Sequence, residues 1–127
     1  MKYRISASIA LGIILLAAGA AWAHHNDNRP DRAKRVTLTG TLTKLDWRNP
    51  HVEFSLEVKG DNGQTESWSF STGTPYSFAR RKITKADFEK AIGQTIAVEV
   101  STARDGSRYG NLSKITFPDG RVVVIGA

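Results

Sequence analysis

"VEFSLEV", residues 52–58, is the stretch on which the fold turns. Val52, Phe54, Leu56 and Val58 alternate with Glu53, Ser55 and Glu57. A period of two with one apolar and one polar side marks a half-buried strand of an antiparallel sheet. Downstream, "GDNG" at 60–63 supplies residues that tolerate positive φ. "QTESWSFST" at 64–72 then returns with Glu66, Trp68 and Phe70 on one face. Upstream, "VTLTGTLTKLDW" at 36–47 alternates Val36, Leu38, Gly40 and Leu42 against four threonines, a strand pattern beginning at Val36. Gly40 in its middle predicts a bulge or a sharp bend.

Beyond this three-stranded meander the periodicity changes. In "ITKADFEKAIGQ" (83–94), Thr84 is an N-cap with Asp87 three residues later. Ile83 and Phe88 occupy the staple positions, and Gly93 fits a C-terminal stop. A helix over 85–91 follows. "TIAVEVS" (95–101), "NLSKITF" (111–117) and "RVVVI" (121–125) read as three more strands, separated by "ARDGSRYG" and "PDG" turns. Three strands, a short helix and further strands predict an all-β domain with one short helix, an OB-like six-stranded, mainly antiparallel barrel. A small antiparallel sandwich gives much the same string. The expected core is Leu38, Leu42, Val52, Phe54, Leu56, Val58, Trp68, Phe70, Phe88, Ile96 and Val98.

The start of the chain speaks about destination. Lys2 and Arg4, an apolar run from Ile9 to Ala20, and Ala21-Trp22-Ala23 are the three parts of a secretory signal peptide. A membrane span needs roughly 20 apolar residues, so the expectation is cleavage after Ala23, no stable membrane anchor and a periplasmic address. Removing residues 1–23 from 127 leaves 104, and losing Lys2 and Arg4 takes the formal charge from +6 to +4. A chain of that size buries roughly 60–70% of the surface its unfolded form exposes, so it folds without the disulfides that zero cysteines deny it. The same lack excludes thiolate metal sites and thiol catalysis. "NDNRPDRAKR" (26–35) has no large apolar side chain, and residues 24–35 are expected to be a flexible leader. The folded domain is then 36–127.

"AHH" at 23–25, "VTLTGTLTKLDWRNPH" at 36–51, a tryptophan-bearing third strand, "ARDGS" and "FPDGRVVV" together resemble a domain-of-unknown-function family of small exported bacterial proteins. Its usual run is A-H-H-S, then G-T-V, then W-x-N-P-H. The resemblance spans nearly the whole mature chain and implies an exported small β-domain, with no activity attached to it.

Two sets of residues are candidates for a site. The chain has three histidines: His24, His25 and, in "WRNPH", His51. Cleavage frees the α-amino group of His24, and amine and imidazole nitrogens suit copper(II) best, with zinc weaker. Asn49 before Pro50 is pushed toward extended geometry, so the loop holds His51 firmly, with Asp46 or Asn49 placed to orient its imidazole. The second set is an aromatic and basic face: Trp47, Trp68, Phe70 and Tyr76 as a platform, with Asn49, Arg80, Arg81 and Lys82 beside it for an anionic or sugar ligand. Export argues against nucleic acid as its partner. Enzyme signatures are thin. Glu53 and Glu57 share a strand face but lie about 13–14 Å apart, beyond the spacing of paired glycosidase carboxylates. No nucleophile elbow, phosphate loop or His-Glu-x-x-His run is present.

Overall fold

The computed structural model describes residues 29–125. Its elements are β1 (Pro30–Asp46), β2 (Glu53–Lys59), β3 (Thr65–Ser71), α1 (Pro75–Ala79), α2 (Lys85–Ala91), β4 (Thr95–Ala103), β5 (Tyr109–Thr116) and β6 (Val122–Val124). All six strands belong to one sheet, ordered β3-β2-β1-β4-β5-β6, rather than to the two facing sheets of a sandwich. Neighbours pair antiparallel except where β3 meets β5: Ser69, Phe70 and Ser71 run parallel to Tyr109, Gly110 and Asn111. That pairing closes a ring of hydrogen bonds through five strands.

β1 makes the ring possible by serving two partners. Its first part pairs with β4 as far as Thr41, and its last part pairs with β2 from Gly40 onward. At the overlap, Gly40 faces both Val58 and Ile96, and a Cβ there would collide with the Glu57 carbonyl oxygen. Glycine is needed for this approach. The bulge itself falls two residues later, where the register slips between Leu42 and Lys44.

The sequence reading needs two corrections. β1 begins at Pro30, not Val36, so residues 30–35 belong to the sheet and not to the leader. Ladder pairing uses backbone groups, and Arg32, Ala33, Lys34 and Arg35 are exposed, so their polarity is no obstacle. There are also two helices. Thr74 caps α1, its hydroxyl accepting from Ser77 N at 3.1 Å, and Pro75 stands in the first turn, where a missing N–H costs nothing. α2 has the expected bounds and capping box: Thr84 accepts from Asp87 N, and the Asp87 carboxylate accepts from Thr84 N at 2.8 Å.

One end of the ring is filled by aromatic rings around Phe88. Its centroid lies 5.2 Å from Phe117, 5.3 Å from Phe78, 5.6 Å from Phe54 and 5.7 Å from Trp47. The expected core residues are buried, apart from Leu38 and Trp68, which pack half-buried against it. Among the described residues no helix is long and apolar enough to cross a membrane.

Candidate functional site

The loop from Trp47 to Val52 joins β1 to β2 and is held at both ends. Trp47 turns inward onto Phe78 and Phe88. Val52 N donates to Gly73 O at 3.0 Å, and Thr72 N donates to Val52 O at 3.1 Å. The Asn49–Pro50 peptide between them is cis. His51 is exposed, and its Nδ1 lies 3.0 Å from the Thr72 carbonyl oxygen. A carbonyl only accepts, so Nδ1 is the donor, and in the neutral ring the lone pair is then on Nε2. The orienting group is thus Thr72, not Asp46 or Asn49. Asp46 is engaged by Arg48 at 2.9 Å. Sequence could not reveal Thr72, because the acting atom belongs to the backbone and any residue would supply it.

Metal ligands do not converge here within the described residues: no three His, Asp or Glu side chains form a group able to hold an ion. His24 and His25 lie outside the described residues. At Arg29, the first described residue, the carbonyl oxygen accepts from Arg104 N at 3.0 Å. Arg29 therefore sits beside the β4–β5 turn.

The aromatic and basic set is dispersed. Trp68 stacks on Phe70 at 6.3 Å with its plane tilted by 8°, and Phe70 is fully buried, so neither these rings nor Trp47 form an outward platform. Tyr76 alone of the four is well exposed. Arg81 already has three partners, donating to Ser77 O and Val124 O at 2.7 Å and to Ile125 O at 3.1 Å. Its guanidinium is a clasp. Arg80 and Lys82 are exposed on the same turn, Lys82 with a left-handed φ of 58°. Asn49 is exposed in the loop.

The outward side of β2 and β3 carries Glu53 opposite Ser71, Ser55 opposite Ser69, and Glu57 opposite Ser67. That surface is hydroxylic and acidic. Elsewhere the shifted carboxylates are all shifted down. The Thr84 backbone amide and then Arg121 hold Asp87 below its usual range. The Arg121 backbone amide and side chain do so for Asp119, a hydrogen bond from Arg108 for Glu66, and one from Lys114 for Glu99. These four are ion-pair acceptors at neutral pH and hold no proton to give.

Fold and loop together define a small, mainly antiparallel β-domain, closed through five strands, with a loop that presents one oriented imidazole. The chain belongs to the family of unknown function DUF6152, whose profile matches residues 12–113. Compared with curated proteins, the chain matches none.

Proposed function

We propose that the mature chain is an exported, non-enzymatic OB-type binding domain that captures copper(II), or less readily zinc, through His24, His25 and His51. The observation that carries this reading is the hydrogen bond from His51 Nδ1 to Thr72 O. Metal-bound histidines characteristically donate their second ring nitrogen to a carbonyl or carboxylate, which fixes the tautomer and aims the free nitrogen outward. His51 has that arrangement. The signal-peptide pattern supports the rest, because a freed amino-terminal His-His supplies an amine and two further imidazoles.

Reach sets the terms. Arg29 is tied to Arg104, so five residue steps, about 18 Å at full stretch, separate His24 from the sheet. From Arg29 to Thr72 the route crosses Ala103, Tyr109 and Ser69. Three strand spacings and three rises are perpendicular legs of about 14 and 10 Å, so the direct span is roughly 17 Å. Five steps at full stretch just cover it, and the imidazole side chains add to that reach. Copper titration of correctly processed protein is therefore compared with three variants: one extra alanine before His24, His51→Ala, and deletion of Asn26 and Asp27. The reading expects weaker binding in all three. Equal affinity throughout would mean that neither the freed amine nor His51 is a ligand.

A further inference from the structure

The start of β1 does not lie flat on β4. Pro30 stands opposite Ala103 and Arg35 opposite Ser101, so residues 31–34 of β1 face the single residue Thr102 of β4. Beside this bulge is a cleft of about 160 Å³ lined by Pro30, Arg32, Arg35, Ser101, Asn111 and Ser113, among others. Three strands contribute to it. Ser101 is only 7% exposed, and its hydroxyl has no hydrogen-bond partner among the described residues. The side-chain atoms fully buried without a partner among the described residues are Trp68 Nε1 and Thr72 Oγ1, so the Ser101 hydroxyl opens into the cleft it lines and its donor is free for a ligand there.

The cations of the cleft are also available. Arg32 is exposed and makes no ion pair among the described residues. Arg35 reaches Glu99 at 3.6 Å, but Glu99 is held more closely by Lys114 at 3.2 Å and accepts from the Ser113 hydroxyl at 3.3 Å. Glu99 therefore keeps its partners if Arg35 turns away. Ser113 is committed to Glu99 and is not a donor for anything else.

We infer that this cleft binds a phosphate group, with the Arg32 and Arg35 guanidinium forks supplying charge and the Ser101 hydroxyl and Asn111 amide donating to the remaining oxygens. Donors arriving from β1, β4 and β5 suit a tetrahedral oxyanion better than a planar carboxylate, and two arginines match its double charge. The group can be free phosphate or the headgroup of an anionic lipid. His51 is not among the residues that line this cleft.

The test is calorimetric titration of processed protein with inorganic phosphate, together with sedimentation on phosphatidylglycerol and on phosphatidylcholine vesicles. Saturable binding of phosphate, weakened about tenfold by Arg32→Ala and by Ser101→Ala but not by Arg80→Ala, is expected. Retention on phosphatidylglycerol vesicles that Arg32→Ala abolishes identifies the lipid source, and phosphate binding without it identifies the free anion. Absence of binding to both probes overturns the site. So does an unchanged Ser101→Ala, or an Arg80→Ala as weak as Arg32→Ala, because surface charge alone would then account for the affinity. Circular dichroism of each variant checks that the sheet is intact.

Discussion

Arg81 Nε donates to the Val124 carbonyl oxygen at 2.7 Å, across 43 positions of sequence. With its bonds to Ser77 O and Ile125 O, the guanidinium fastens the turn after α1 to a strand of only three residues that pairs with β5 alone. A short edge strand has little else to hold it. Arg81→Ala is expected to lower stability by about 1 kcal/mol, since the bonds are charge-assisted but the side chain is exposed. Arg81→Lys should recover little, because a single ammonium cannot span the three carbonyls. Hydrogen exchange reads this directly: amides of 122–125 should exchange faster while Phe70 stays protected.

Phe88 contacts four aromatic rings and is fully buried. Phe88→Ala should cost about 3–5 kcal/mol, and Phe88→Leu, which keeps most of the volume, considerably less. Urea denaturation midpoints measure both. An alanine variant as stable as the parent would mean that α2 does not close the end of the ring.

Gly40 and Gly63 should respond to alanine for different reasons. At Gly40 the added methyl meets the Glu57 backbone, which cannot step aside without breaking the β1–β2 ladder, and a loss of about 1–3 kcal/mol follows. Gly63 has open space but a φ of 77°, so only the left-handed conformation is penalised, by about 1 kcal/mol. Comparing the two midpoints separates steric from conformational cost.

Acid should weaken the α2 cap. The pKa of Asp87 is lowered in the fold, chiefly by the Thr84 amide and then by Arg121, from an ordinary value of 3.8. A depressed carboxyl contributes stability that is complete above its unfolded pKa and is lost as pH falls through the folded one. Asp87→Asn should therefore be less stable than the parent at pH 7, and the gap should shrink below about pH 4. Denaturant titrations at pH 7 and pH 3 check the sign. A gap that stays constant would mean that the charge of Asp87 is not what matters.

Legibility of this fold in its sequence followed the range of the interactions. Val52 to Val58 and Thr84 to Phe88 could be read because alternation and capping are settled within a few residues. The Thr74-Pro75 pair carried the signature of a helix start, but only five helical residues follow it, too few for periodicity to register. Pro30 to Arg35 misled because composition reports what side chains can bury, whereas Pro30 and Arg35 join the sheet by pairing with Ala103 and Ser101 through the backbone. The pairing of Ser69 with Tyr109 and the grip of Arg81 on Val124 depend on residues brought together from distant parts of the chain, and no local pattern announces them. For the site, His51 was visible by its rarity, while its partner Thr72 acts through a carbonyl that every residue possesses.

The parallel seam between β3 and β5 also governs the order of events in folding. Ser69 N donates to Arg108 O at 3.0 Å, a contact spanning both helices and the whole of β4. Such distant pairing is reached only after a large loss of chain entropy, which places closed sheets of this kind among the slow folders, in milliseconds to seconds. Until the seam closes, β3 offers an open edge on which a second unfinished copy can dock as readily as the chain's own β5. Yield on refolding should therefore fall steeply with protein concentration, and the polar, serine-rich outer side of β3 limits how far such an encounter can proceed.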